Sequence, residues 1–254
     1  MRAASCACLA VATAVMLLSG CGERKSGPPG HVIFVLFDVS GSTYSKVVRQ
    51  RYLSDFVDVV QGCQGGEAIV GDVITDNTLA TASFPINQTF PDYDPLKTNE
   101  MTFRRAMKKA CGSVCAEAEN LILKSRPASR TDLMNSFQLA DKILNGERCR
   151  GAKSRILVVF SDMVEQSGHY NFASERLDEK RIKGIIRTER LAGRLPDLHG
   201  VRVWVAGATA TPQHGLDSAK IYGIQNFWLA YFKACGADFS KDRYAQTLIN
   251  FVRE

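Results

Sequence analysis

His31-Val32-Ile33-Phe34-Val35-Leu36-Phe37 is a continuous apolar, β-rich run that leads straight into Asp38-Val39-Ser40-Gly41-Ser42. An apolar run without polar alternation suits a strand buried on both faces, as in a parallel sheet. Arg155-Ile156-Leu157-Val158-Val159-Phe160 is a second such run, and it too ends in an acid, at Ser161-Asp162. In an open α/β sheet, ligands bind beyond the carboxyl ends of the strands, where strand order reverses. Two acidic residues delivered to that edge make a negative pocket that a divalent cation would stabilise. Ser40 and Ser42 place hydroxyls at alternate positions after Asp38, and Gly41 permits a sharp path between them. Carboxylate and hydroxyl oxygens are hard ligands, which suits Mg²⁺ or Ca²⁺ and disfavours zinc.

Outward from these runs, the pattern alternates strand and helix. Residues 44–61 read as a helix with Val47, Val48, Leu53, Phe56 and Val60 apolar, closed by Gly62, Gly65 and Gly66. Residues 68–75 read as a strand, Asp76-Asn77 as a turn, and residues 79–84 as an antiparallel edge strand. Residues 87–95 look like loop, and residues 98–124 and 133–144 look helical. A highly charged helix is expected over 173–194 and a strand over 201–206. In the last helix, 216–234, Ile221, Ile224, Phe227, Trp228, Tyr231 and Phe232 recur at three- and four-residue spacing, so one broad face packs on the sheet. These aromatics read as core. No internal repeat is visible, and the alternation implies a mainly parallel sheet with helices on both faces.

Each piece of the acidic cluster has a plain structural reading when taken alone. Asp38 to Ser42 reads as a turn and helix start, Thr131 as a cap for the helix after it, and Asp162 as a solvated strand end. Taken together, Asp38-x-Ser40-x-Ser42 resembles the first part of the metal-ion-dependent adhesion site of von Willebrand factor type A domains. That family adds a threonine from a later loop and an aspartate after the fourth strand. Thr131 and Asp162 fill those places in order. The resemblance covers nearly the whole chain after residue 30. It implies a Rossmann-like, doubly wound α/β fold with one antiparallel edge strand. It further implies that Ser40, Ser42 and Thr131 ligate Mg²⁺ (or Mn²⁺ or Ca²⁺) directly, with Asp38 and Asp162 bound directly or through water. One coordination position is then left for an acidic residue of a protein partner, so the chemistry is recognition and no residue is catalytic.

The chain of 254 residues has the apolar and charged fractions of an ordinary globular protein, enough for one α/β domain and short for two. Its net charge of +6 is mild and scattered, which argues against a nucleic-acid partner. Arg2, an apolar stretch over residues 7–18 and Leu18-Ser19-Gly20-Cys21 make a secretory leader, too short for a comfortable membrane span. Leu-Ser-Gly-Cys also resembles the lipobox of bacterial lipoproteins, which implies that Cys21 is lipidated and anchors the chain to the membrane. The alternative is an ordinary signal peptide or an N-terminal membrane segment beside a coincidental cysteine. Gly22, rather than Asp, follows Cys21, which in Gram-negative lipoproteins resembles sorting to the periplasmic face of the outer membrane. The expected organisation is a leader over 1–20, a Gly- and Pro-bearing tether over 21–30, and one domain over 31–254.

Five cysteines remain in the domain: Cys63, Cys111, Cys115, Cys149 and Cys235. An odd number cannot all pair, and in an oxidising compartment structural bridging among some of them is expected. The basic run from Arg176 to Arg194 is interleaved with Glu175, Asp178, Glu179 and Glu189, so it reads as a solvated outer helix. Glu165, His169 and Tyr170 follow Asp162 and are expected near the rim of the cluster. Two other functions compete with metal-bridged recognition. One is an envelope or secretion scaffold that uses the fold without metal. The other is a metal-dependent phosphohydrolase, because an Asp at a strand end resembles haloacid-dehalogenase enzymes. Those enzymes need a second Asp two residues on, where this chain has Ser40.

Overall fold

The two buried runs lie side by side. In a computed structural model describing residues 29–208, 216–248 and 251, β1 (His31–Asp38) pairs in parallel with β4 (Ser154–Phe160). The leader, Cys21 and most of the tether lie outside the described residues. The sheet has six strands in the order β3-β2-β1-β4-β5-β6, where β2 is Ala68–Ile74, β3 Ile86–Thr89, β5 Val201–Ala206 and β6 Tyr244–Ala245. All neighbours are parallel except β2 and β3, so the fold is a doubly wound, mainly parallel α/β sheet with one antiparallel edge. Strand order reverses between β1 and β4, which puts their carboxyl ends at the topological switch point.

Alternation along β1 builds two cores. Val32, Phe34 and Leu36 face α4 (Leu133–Leu144), α5 (Glu179–Leu191) and α6 (Ser218–Ala234). Ile33, Val35 and Phe37 face α1 (Lys46–Gln61) and α3 (Glu100–Lys124). Every one of those six side chains is at most 1 % exposed, and burial of each is worth about 1.5–3 kcal/mol. Phe37 stacks on Phe160 at 5.1 Å, and Tyr52 of α1 leans on Phe160 at 5.5 Å, directly beneath the ends of both strands. On the other face the α6 aromatics form the core that their spacing predicted, with Trp228 edge-on to Phe137 at 5.4 Å. Arg49 of α1 is buried and donates to the carbonyls of Ile122 and Ser125, at 2.6 and 3.4 Å. It therefore places a cation at the carboxyl end of α3. Among the described residues, no helix is long and apolar enough to cross a membrane.

Several expectations are corrected. Residues 79–84 do not form the edge strand: Thr78–Thr81 is one helical turn (α2), and the strand is Ile86–Thr89, which overlaps the start of the stretch expected to be loop. The Asp72 carboxylate accepts from the amides of Ser83 and Phe84 at 2.7 and 2.8 Å, with Phe84 at a φ of 50°. That turn delays pairing until after Pro85. The charged helix begins at Glu179 rather than near 173, capped by Asp178, whose carboxylate accepts from Arg181 N at 2.8 Å. Its outer charges pair locally, Lys183 with Glu179 and Arg181 with Glu175, which suits a solvated face. The expected bridging fails for Cys115, Cys149 and Cys235, which are free thiols. Burial pushes the Cys235 thiol up to about 12, so it behaves as a small apolar group. Cys63 and Cys111 both meet the last turn of α1, with sulfurs 3.5 Å from Val59 O and 3.8 Å from Val60 O respectively.

Candidate metal centre

Register builds the centre. Phe37 lies opposite Phe160, so the next residues, Asp38 and Ser161, meet past the last rung of the ladder. Ser161 Oγ donates to Asp38 Oδ2 at 2.6 Å and accepts from Met163 N at 2.9 Å. Asp38 Oδ1 accepts from Ser40 N at 2.8 Å, and the Thr43 hydroxyl donates to Asp38 O at 2.8 Å. These bonds curl residues 38–43 into a tight loop, with the Ser40 and Ser42 hydroxyls 3.1 Å apart. The Ser42 side chain lies close enough to the Asp162 carboxyl to pull its pKa down, and Val164 N donates to Asp162 Oδ1 at 3.0 Å. Asp38 and Ser40 are buried, while Ser42 and Asp162 are half-buried and line a cavity above them.

Thr131 arrives on a separate loop that is tied to both strand ends. Ala128 N donates to Val39 O at 3.1 Å, which fixes the loop to the β1 end. Thr131 and Gln166 exchange backbone bonds at 3.1 and 2.9 Å, which fixes it to the β4 end. Thr131 itself is buried. The five expected positions therefore sit on three loops cross-linked at one edge of the sheet.

Electrostatics mark this edge as unbalanced. Burial and the neighbouring Asp162 push the Asp38 carboxyl from its usual value up to about 6, against the pull of its bonds to Ser161 and Ser40. Burial likewise raises Asp162, against the pull of Ser42 and Val164 N. Neither acid is in an ion pair among the described residues; the Arg49 guanidinium lies within electrostatic reach of Asp38, but its Nη1 donates to the carbonyls of Ile122 and Ser125. Two acids held together outside any ion pair, among hydroxyls, are a donor set that fits a hard divalent cation. Among the described residues there is no cluster of three or more His, Cys, Asp or Glu side chains placed to hold a metal, so this set depends on its hydroxyls.

Three supporting residues, Met163, Ser161 and Thr43, carry no signal in the sequence that marks their role. Met163 adopts a left-handed φ of 63°, which turns the chain sharply after Asp162, and Trp228 Nε1 donates to its carbonyl at 2.8 Å. Ser161 and Thr43 are the internal braces described above, visible beforehand only as hydroxyls beside the motif. Glu165 does not reach the rim: it is wholly buried and its Oε2 accepts from the first amides of α4, Leu133 N at 2.8 Å and Met134 N at 3.2 Å. Tyr170 is buried as well and donates to Glu189 at 2.6 Å, leaving only His169 exposed.

Gly207, one residue past β5, is required by its surroundings. Its φ is 103°, and a Cβ there would lie 2.4 Å from the Tyr52 hydroxyl and 2.8 Å from Ser161 O. Gly207→Ala is expected to cost at least about 2–3 kcal/mol in thermal or urea unfolding, since it adds backbone strain to a collision with the strand end. An unchanged melting temperature would refute this packing.

No protein-family model matches the chain, and no curated protein matches it. Among solved structures it is similar to the PilB minor pilin from Streptococcus sanguinis, at 12 % identity and a TM-score of 0.47, covering 84 % of this chain and 57 % of that one. It is similar to a von Willebrand factor type A protein from Catenulispora acidiphila at 12 % identity and a TM-score of 0.40, covering 82 % and 43 %. Proximal thread matrix protein 1 of the mussel byssus, with a zinc-occupied MIDAS motif, is similar at 13 % identity and a TM-score of 0.42, covering 87 % and 42 %. This chain thus spans less than two thirds of each of those chains, and its likeness to them is one of general layout.

Proposed function

We propose that this chain is a non-enzymatic binding module, exported and held at the bacterial envelope through Cys21, which engages a protein partner at a divalent cation. Asp38, Ser40, Ser42, Thr131 and Asp162 hold the ion, with Mg²⁺ the best match to all-oxygen donors and Mn²⁺ or Ca²⁺ as substitutes. The single observation that carries this reading is the meeting of two acids, Asp38 and Asp162, with the Ser40 and Ser42 hydroxyls at one strand edge, neither acid held in an ion pair among the described residues. A bound cation supplies an open coordination position for an outside carboxylate, and few protein charges leave it strongly electrophilic. The protein's part is to hold the oxygens still: Thr43 and Ser161 brace Asp38, and the Thr131–Gln166 bridge locks the third loop.

Calorimetry on the full chain tests this directly. Mg²⁺ or Mn²⁺ should bind at neutral pH, and affinity should fall as pH drops through about 6, where protons compete for Asp38. The expected loss is roughly tenfold per pH unit below that point. Capture of an envelope protein should be blocked by EDTA. Absence of metal binding would favour the metal-independent scaffold, and metal-dependent turnover of phosphoesters would favour the enzyme.

A further inference from the structure

Beside the two acids lies a cavity of about 330 Å³, and Ser42 and Asp162 belong to its wall. The rest of the lining is largely apolar: Val48 from α1, Val164 after β4, and Ile221 and Ile224 from α6. Tyr52 also lines it, and that side chain is 1 % exposed with a hydroxyl that has no hydrogen-bond partner. A buried phenol without an acceptor is costly, so the arrangement is poised for an occupant that brings one. Arg51 adds a positive group to the lining. A mostly apolar hollow with a few convergent polar groups is the usual form of a recognition pocket.

We infer that this cavity is the second half of the recognition site and takes a large apolar side chain adjacent to the partner's metal-binding acid. The occupant is a segment of a partner protein in which Asp or Glu neighbours a large aliphatic or aromatic residue. Three features select that chemistry. The shared wall of Ser42 and Asp162 puts any occupant next to the cation position. Val48, Ile221 and Ile224 exclude water around an apolar side chain. Arg51 favours an acidic segment, and the Tyr52 hydroxyl meets a backbone carbonyl of the same segment. The inference rests on the metal reading above and adds specificity to it.

The test uses three capped dipeptides, N-acetyl-Asp-Phe-amide, N-acetyl-Asp-Gly-amide and N-acetyl-Asn-Phe-amide, titrated against the full chain with saturating Mg²⁺ and again with EDTA. With Mg²⁺, Asp-Phe is expected to bind about tenfold tighter than Asp-Gly, the scale set by burying one large side chain. Val48→Gln, at a half-buried position, should erase that preference without adding a charge beside Asp162, so Mg²⁺ affinity should stay within about twofold. Tyr52→Phe, which only removes the orphan hydroxyl, should weaken Asp-Phe several-fold with the fold and Mg²⁺ binding intact. Equal affinity for Asp-Phe and Asp-Gly overturns the cavity's role, leaves the metal reading standing and assigns the hollow to the chain's own residues or a second copy. Equal, EDTA-insensitive binding of Asp-Phe and Asn-Phe overturns the metal reading instead. Failure of every probe to bind a Mg²⁺-loaded chain overturns the pairing of acid and apolar neighbour.

Discussion

Asp38→Asn is expected to melt at a higher temperature than the unsubstituted chain in EDTA near neutral pH, and to lose Mg²⁺ binding by at least about a hundredfold. The sign follows from its ionisation. Asp38 is raised from 3.8 to about 6 in the folded protein. Its favourable contribution is therefore fully present below the unfolded value and is lost as pH rises through about 6. At neutral pH the carboxylate is ionised in a buried place beside Asp162, which costs on the order of 2–3 kcal/mol. Asn keeps the shape and an acceptor for Ser40 N while removing the charge. The Ser161 hydroxyl, which now donates to Asp38, can turn to accept the new amide. A gain of about 2 kcal/mol corresponds to several degrees in a domain of this size. Residues kept for binding rather than stability behave in this way. A lower melting temperature combined with intact metal binding would show that Asp38 is a structural brace.

Glu165→Ala is expected to destabilise the fold by about 2–4 kcal/mol, because the first two amides of α4 lose the carboxylate that accepts from them and a buried void opens. The same carboxyl makes stability depend on pH. Burial pushes it up to about 8, against the hydrogen bonds from Ser167 and from the Met134 and Leu133 amides. Stability from this group is thus present below about 4.5 and declines as pH rises through about 8. Urea unfolding across that range, in EDTA and in an Asp38→Asn background, isolates the slope due to Glu165. Glu165→Gln keeps an acceptor for α4 and should flatten the slope. A slope that survives in Glu165→Gln assigns the titration to another group. Because the Thr131 loop runs directly into α4, Glu165→Ala should also weaken Mg²⁺ binding, and Glu165→Gln should largely restore it.

Legibility in the sequence followed burial. β1, β4, β5 and α4 stand within one residue of where their apolar runs placed them, because a strand covered on both faces or a helix with one apolar face writes its whole length in residue type. β3 is not legible in the sequence because Ile-Asn-Gln-Thr on a sheet edge buries only Ile86, and a single apolar residue carries no period. The start of α5 is blurred in the sequence because its charges continue upstream of Asp178, while Phe172 and Leu177 leave the helix pattern to fill the core under α6. Glu165 looked like a rim acid from its distance to Asp162. Only the fold shows that it points inward, to a helix end that no local spacing announces.

Asp38-Val39-Ser40-Gly41-Ser42 sits after a buried strand because the residue types before it admit little else, and in that sense the sequence alone determined the sheet and the edge on which the acids stand. The tertiary structure decided everything that requires two distant segments to meet. The register of Phe37 on Phe160 sets Asp38 against Ser161, and Trp228 holds the turn after Asp162. Tyr52 and Gly207 shape the hollow beside them. The physical reason is that hydrophobic burial is written locally, residue by residue, whereas the balance of charge and hydrogen bonds at a strand end is a property of neighbours that the chain brings together only when it folds.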